Sequence, residues 1–183
     1  MPPWPPTRYR ETSPSFCDNR RVPLTSTCLC LLLRTHGDGT REVLLGYKKT
    51  GFGKGKIVAP GGHVEPGESA VAAAAREVKE ETGIRVAQDA LAEGAKLTFL
   101  FPERPSWDMD VAIFTSADWS GEATESDEIR PQWFPVTALP LDRMWDDGKH
   151  WLPRVLAGER LRATFSYAPD NETVAAATIT PLP

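Results

Sequence analysis

The sequence predicts an α/β domain in which helices cover both faces of a mixed β-sheet. Short apolar runs bounded by turn residues recur along most of the chain, and two helical segments are interspersed among them. Strands that form hairpins and also alternate with helices are typical of mixed sheets, because the connecting helices must pack on the sheet faces.

The predicted strands begin with residues 28–33, which are apolar throughout, and continue with residues 42–47. The turn sequence His-Gly-Asp-Gly at 36–39 lies between these two strands and favours a hairpin. A short strand at 57–59 ends where Pro60, Gly61 and Gly62 break the chain. The later strands are predicted at residues 96–101, 111–115, 132–135, 163–167 and 174–180.

Two helices are predicted. The first covers residues 69–81, which are rich in Ala, Glu, Arg and Val, and Gly83 follows where a C-terminal cap is expected. The second lies near residues 151–157. The two helices supply the layers that a mixed sheet needs on its faces.

Length and composition limit the possible functions. The 183 residues suit one domain, and a net charge of −4 disfavours a protein that grips a nucleic-acid polymer by its phosphates. Six of the 17 prolines fall in the first 23 residues, so we expect a loosely docked tail at residues 1–21 and one domain at 22–183. The longest apolar run has six residues, and the N-terminus lacks the apolar centre of a secretion signal. Three cysteines cannot all pair, which favours a reduced, cytoplasmic protein without a disulfide framework. We also expect a monomer that does not bind membranes.

A cluster of acids stands at the C-terminal end of the first predicted helix. At about 100° per residue, Glu77, Glu80 and Glu81 share a wedge about 100° wide, and alanines occupy that wedge in the preceding turns. Like charges at this spacing repel each other, and negative charge in the last turn opposes the helix dipole. A hard divalent cation would turn that repulsion into ligation, whereas the alternative is a solvated acidic face.

The residues around these acids resemble the complete signature of the Nudix hydrolases. The matching positions are Gly62, Glu68, Arg76, Glu77, Val78, Glu80, Glu81, Gly83 and Ile84. The resemblance implies an α/β/α sandwich with a mixed central sheet. It also implies an enzyme that uses metal ions to hydrolyse a nucleoside diphosphate linked to another group, by attack of water on phosphorus.

The resemblance implies a role for each acid. The implied catalytic residues are Arg76, Glu77, Glu80, Glu81 and Glu128, and the implied metal ligands are Gly61 (through its carbonyl), Glu77, Glu80, Glu81 and Glu128. Arg76 would orient the acids through Glu68, and any of the acids could be the general base. For Glu128 the alternative is a surface charge in an acidic loop. The expected cofactor is Mg²⁺, for which Mn²⁺ could substitute.

The resemblance extends over about residues 25–180 and is closest to the 8-oxo-dGTP diphosphatase branch, which cleaves oxidised purine nucleoside triphosphates to monophosphate and pyrophosphate. It rests on LLGYKK at 44–49, GFGKG at 51–55, MDV at 109–111, ESDEIRP at 125–131 and MWDD at 144–147. The implied substrate-binding residues are Lys48, Phe52, Gly62, Trp145, Asp147 and Trp151.

In that branch, Phe52 and Trp145 would flank the base, Asp147 would hydrogen-bond the purine edge, and Lys48 would lie at the pocket mouth. Gly62 would let the backbone approach a metal or phosphate closely. Without the resemblance, the aromatic residues would be interpreted as core, Asp147 as part of a turn and Lys48 as a solvated lysine.

Three departures fall where the base would be read. Val58 stands in place of an asparagine that contacts the base, Gly148 in place of a second aspartate, and Thr98 in place of a phenylalanine that lines the pocket. Loss of a hydrogen-bonding group from such a pocket can reduce the discrimination between different bases by orders of magnitude. A broad-specificity or modified-nucleotide triphosphatase is therefore a second hypothesis. A catalytically silent nucleotide-binding regulator is a third, although none of the catalytic glutamates is missing.

Overall fold

The computed structural model describes residues 24–182. The predicted tail at residues 1–21 and the start of the domain at residue 22 lie outside the described residues. The elements are β1 (Thr25–Thr35), β2 (Arg41–Lys48), β3 (Ile57–Val58), β4 (Gly61–His63), α1 (Ala70–Thr82), β5 (Ala92–Leu100), β6 (Met109–Ser116), β7 (Ile129–Pro135), α2 (Gly148–Leu156), β8 (Leu161–Tyr167) and β9 (Val174–Pro181).

The sheet is mixed, as the sequence predicts. Its main path runs β3-β2-β1-β6-β5-β8-β9, with β4 paired to β1 and β7 paired to β2. The pairs β1–β6 and β5–β8 are parallel, and the β1–β2 hairpin is antiparallel, with Arg34 opposite Glu42. Each parallel pair requires a long connection, and these connections carry the helices.

Strand β1 shows how the two faces of the sheet are covered. Cys28, Cys30 and Leu32 point into the cluster that packs against α1. Leu31 points into the larger cluster on the opposite face, which includes Leu152 of α2. Because successive side chains of a strand face opposite ways, an unbroken apolar run is what a strand covered on both faces requires. The predicted α/β/α layering is confirmed.

The structure differs from the predicted elements at several places. Strand β5 begins at Ala92 rather than at residue 96, and β7 begins at Ile129 rather than at residue 132. Gly61 and Gly62, predicted as a chain break, belong to the short strand β4. Pairing with β1 holds this strand extended, so it needs no apolar side-chain pattern that could have predicted it. Helix α2 begins at Gly148 rather than at Trp151. No helix among residues 24–182 is long and apolar enough to cross a membrane. Cys28 and Cys30 are buried free thiols, and the third cysteine lies outside the described residues.

Candidate active site

Helix α1 positions the acid cluster through its two ends. The Ser69 side chain accepts a hydrogen bond from the Ala72 amide, and Gly83 takes a left-handed conformation with φ of 77°. These caps satisfy backbone groups that a helix end otherwise leaves unpaired. Ala73 and Ala74 are fully buried, which brings this face of the helix against the sheet. The buried face continues into the last turn, where Glu81 is buried as well.

Lys48 lies between two of the predicted acids. Its ammonium donates to Glu81 Oε1 at 2.6 Å and to Glu128 Oε2 at 3.0 Å. Lys48 is 9% exposed and Glu81 is 3% exposed, which excludes a solvated lysine. The position of Lys48 at the pocket mouth stays a prediction. The β2–β7 register explains this arrangement, because Lys48 pairs with Ile129 and so lies beside Glu128.

The charges of this group depend on one another. Burial disfavours the charged form of Lys48, but hydrogen bonds and charge from Glu81 and Glu128 raise the pKa of its ammonium. Burial raises the pKa of the Glu81 carboxyl, and the Lys48 ammonium and the Gly61 amide offset part of this rise. The Gly61 N–H donates to Glu81 Oε2 at 2.9 Å and ties the carboxylate to β4. Metal binding through the Gly61 carbonyl stays a prediction.

Arg76 holds the remaining acids in place. Its guanidinium makes two hydrogen bonds to Glu68, at 3.0 and 2.9 Å, and donates to the His63 carbonyl. One of its nitrogens, Nη1, also donates to Glu77 Oε1 at 2.8 Å and to Glu80 Oε2 at 3.1 Å. Hydrogen bonding to Arg76 lowers the pKa of the Glu68 carboxyl. This geometry is what the predicted orienting role of Arg76 through Glu68 requires.

The acids differ in accessibility, and a glycine backbone lies against one of them. A Cβ on Gly62 would come within 2.4 Å of Glu77 Oε1, so Glu77 rests directly on the β4 backbone. Glu80 and Glu128 are the open members, with side chains 59% and 61% exposed. Sequence spacing predicted one cluster of Glu77, Glu80 and Glu81. The structure instead pairs Glu81 with Glu128 around Lys48, and Glu77 with Glu80 at Arg76.

The donor set has the chemistry of a site for a hard divalent cation. Within residues 24–182, no three His, Cys, Asp or Glu side chains already stand in a metal-ligand arrangement. Nevertheless, the four glutamates bring hard oxygens to one region, and two cationic side chains bridge them in pairs. Carboxylates gathered around cationic groups in this way fit a cation that prefers oxygen ligands.

A cavity of about 480 Å³ begins at these acids and continues into an aromatic end. Glu77, Glu80, Glu128 and Lys48 line its acidic end. The aromatic end is lined by Phe52, Phe99, Phe101, Trp107, Trp145, Trp151 and Tyr167. One cavity thus joins groups suited to a metal-bound polyphosphate with groups suited to a flat apolar ring.

The slot expected between Phe52 and Trp145 is closed. Their rings stack on each other with centroids 5.0 Å apart and planes 14° apart. A base between them would need a centroid separation of about 7 Å, twice the usual contact distance between carbon atoms. In this conformation no open slot lies between the two rings, so the flanking of a base by Phe52 and Trp145 stays a prediction. With no ring between them, the two apolar faces bury each other.

Asp147 and Trp151 are bonded to each other at the aromatic end. The Trp151 indole N–H donates to Asp147 Oδ2 at 2.6 Å, and Tyr167 contacts the other oxygen, Oδ1. Asp147 also lies in the turn that leads into α2, so the interpretation as a turn and the interpretation as a pocket residue are compatible. Burial raises the pKa of the Asp147 carboxyl.

Two of the three departures from the family pattern are on the cavity wall. Val58 and Gly148 both line it. The assignment of Thr98 as a lost pocket phenylalanine is wrong, because Thr98 lies on the other face of β5 and donates to Asp110. Phe99 lines the cavity from the same strand, so a phenylalanine is present. Side chains of a strand alternate between faces, so an alignment shifted by one residue reverses the assignment.

Sequence reasoning missed several residues of the aromatic end. Tyr167 was predicted only as a strand residue, and Phe101 only as the end of a strand, yet their rings stack with centroids 4.4 Å apart on the cavity wall. Trp107 was not singled out, although its ring lies 5.3 Å from that of Phe52. The density of aromatic residues at 99–107 was the available signal, but it does not reveal which face they occupy.

Comparison with known proteins agrees with this architecture. Residues 23–155 match the family model described as the NUDIX domain. The chain is 42% identical over 126 residues to the oxidized purine nucleoside triphosphate hydrolase of Danio rerio, an alignment that covers 69% of this chain and 79% of the relative. The protein of that name from Mus musculus is 38% identical over 134 residues, with 73% and 83% covered.

A solved structure has the same fold. The mutator MutT protein from Bacillus halodurans superposes with a TM-score of 0.70 at 25% identity, covering 87% of this chain and all of that one. The signature on α1, the mixed sheet and the family match over most of the chain lead to one conclusion. The chain belongs to the Nudix family of hydrolases.

Proposed function

We propose that this hydrolase cleaves oxidised purine nucleoside triphosphates, 8-oxo-dGTP and related nucleotides, to the nucleoside monophosphate and pyrophosphate, and so sanitises the nucleotide pool. The observation that carries the proposal is the single cavity that joins the acidic end to the aromatic end. The curated relatives named for this activity support it, since they align over most of their own length.

Nudix hydrolases generally use divalent metal ions. In this chain we assign Mg²⁺ to Glu77, Glu80, Glu81, Glu128 and the Gly61 carbonyl. When bound, such a cation neutralises phosphate oxygens and makes a water molecule more acidic. Phosphoryl transfer asks the protein mainly for positioning and for charge compensation.

The chain's own residues supply the positioning. Arg76 holds Glu77 and Glu80 through one nitrogen, so both carboxylates keep their orientation without ligand. Lys48 compensates the charge of Glu81 and Glu128 and can donate to a phosphate oxygen that enters between them. Glu128, which is more than half exposed, can accept a proton from an attacking water molecule.

At the other end, the aromatic side chains exclude water and offer flat faces to a purine. Phe52 is 43% exposed and carried by a loop, so it can leave Trp145 when a base stacks there. Asp147 presents a carboxyl group to the base edge from the same wall.

A nucleotide panel tests the proposal. The protein is incubated with Mg²⁺ and 8-oxo-dGTP, dGTP or a methylated purine triphosphate, and the products are identified. We expect monophosphate and pyrophosphate, with the highest kcat/KM for 8-oxo-dGTP. Release of the γ-phosphate alone would contradict the assigned cleavage.

A second candidate is broad hydrolysis of purine triphosphates, favoured by Val58 and Gly148 on the cavity wall, where neither offers a polar side-chain atom. A kcat/KM for dGTP equal to that for 8-oxo-dGTP would select this second function.

A further inference from the structure

A buried polar triad stands at the aromatic end of the cavity, and one of its members has no role in the mechanism above. Asp147 directly precedes α2, Trp151 lies one turn into α2, and Tyr167 ends β8. All three line the cavity, and none is more than 5% exposed. The triad therefore joins the second helix to the C-terminal strands at the wall where a base would lie.

The hydrogen bonds of the triad hold both oxygens of Asp147. The Trp151 indole donates to Oδ2 at 2.6 Å, and the Tyr167 hydroxyl bonds Oδ1. An indole N–H can only donate, whereas a phenol hydroxyl can donate or accept. Oδ2 is consequently an acceptor in either protonation state, and the direction of the Oδ1 bond can reverse.

Ring packing fixes the Tyr167 hydroxyl. The Tyr167 ring stacks on Phe101 at 4.4 Å with planes 10° apart, and meets Trp145 edge-on at 6.0 Å. Its backbone belongs to the β8–β9 ladder, paired with Val174. A hydroxyl on so constrained a ring is a rigid reference point for the Asp147 carboxyl.

We propose that Tyr167 is a positioning residue for base selection, whose hydroxyl holds Asp147 Oδ1 and sets whether that oxygen meets the purine edge as acceptor or as donor. With Asp147 ionised, Tyr167 donates to Oδ1. With Asp147 protonated on Oδ1, that oxygen has two arrangements: it donates to the Tyr167 oxygen, which leaves the Tyr167 O–H to donate into the cavity, or it donates to the base and still accepts from Tyr167.

The neighbouring residues Val58 and Gly148 increase the effect that the orientation of Asp147 has on base selection. Val58 and Gly148 leave their parts of the cavity wall without a side-chain hydrogen-bonding group, so Asp147 bears more of the discrimination between bases. Burial raises the pKa of Asp147, which favours the protonated arrangement in the closed site. A buried polar side chain of fixed orientation can discriminate strongly against a base whose donors and acceptors do not match it.

The inference rests on the proposed function, and the variant Tyr167→Phe tests it because it removes only the hydroxyl. The ratio of kcat/KM for 8-oxo-dGTP to that for dGTP is measured in the full chain with Mg²⁺. We expect the ratio to fall about tenfold, through KM, with kcat for 8-oxo-dGTP within about twofold of wild type. Tyr47→Phe is the matched control, since Tyr47 lies on β2 beside Arg130 and does not line the cavity; it should leave the ratio unchanged.

An unchanged ratio, or an equal loss for both substrates together with a lower Tm, would overturn the inference, because a merely structural hydroxyl acts on all substrates alike. Calorimetric binding of 8-oxo-dGMP and dGMP in EDTA separates this failure from failure of the proposed function. If wild type hydrolyses neither triphosphate, the proposed function is wrong, and the change in the binding ratio in Tyr167→Phe still decides the inference. If wild type binds neither monophosphate, the inference is wrong as well.

Discussion

The substitution Gly62→Ala tests whether the position of Glu77 matters for catalysis. The three closest contacts of the added Cβ would all be atoms of the Glu77 carboxylate, at 2.4, 2.6 and 2.8 Å. Ordinary contact begins at 3.4 Å, so the carboxylate must withdraw by about 1 Å. Gly62 does not have positive φ, and the atoms it displaces end a flexible side chain, so we expect little change in stability.

The expected loss of activity follows from that displacement. Arg76 holds Glu77 Oε1 at 2.8 Å, so moving the carboxylate also breaks its alignment with Glu80. Misplacing a catalytic group by about 1 Å can cost about 100-fold in rate. We therefore expect kcat for 8-oxo-dGTP, measured as pyrophosphate release, to fall about 100-fold while Tm stays within about 2 °C.

Alanine substitutions at two other glycines serve as comparisons for Gly62→Ala. Gly37→Ala is the matched control, because its Cβ would meet nothing within 4 Å, and it should behave as wild type. Gly61→Ala should lower Tm strongly, because its Cβ would lie 2.1 Å from the Cys28 carbonyl oxygen in the backbone of β1. If Gly62→Ala keeps kcat within threefold of wild type, the position of the Glu77 carboxylate does not matter for catalysis, and the reasoning is refuted.

Three further predictions follow from the charges of the site. Glu77→Gln and Glu81→Gln should each lower kcat at least 100-fold. Glu81→Gln should in addition lower Tm, because buried Lys48 loses the closer of its two carboxylates. A wild-type rate in either variant would overturn the ligand assignment. EDTA should abolish turnover and Mg²⁺ should restore it, and activity that persists in EDTA would contradict the proposed cofactor. Because burial raises the folded-state pKa of Asp147 above its ordinary 3.8, its contribution to stability is complete below that value and declines as pH rises through the folded-state pKa. The Tm of Asp147→Asn relative to wild type should therefore increase from pH 4 to pH 7, and a difference independent of pH would refute this reasoning.

Helix α1 and its acids were predictable from the sequence because the features that define them are local. Ser69 and Gly83 mark the helix ends, and the spacing of Glu77 and Glu81 places them on one face wherever the helix docks. The apolar run at residues 28–33 likewise predicted a strand, and the structure buries its side chains on both faces of the sheet. These conclusions depend on the side-chain period of a helix or a strand and on its end signals, which residues close together in the sequence carry.

Only the tertiary structure decided what each side chain meets. Lys48 pairs with Glu81 because the β2 register and the docking of α1 bring together residues 33 positions apart. Phe99 lines the cavity where Thr98 was expected, because a shift of one residue along a strand reverses the face. Asp147 meets Tyr167 across two separate elements. Such contacts depend on register, loop length and packing, which no local pattern encodes. The sequence therefore predicted the acids and the candidate residues Phe52, Trp145, Asp147 and Trp151, but not the cavity wall that they form with Phe101 and Tyr167.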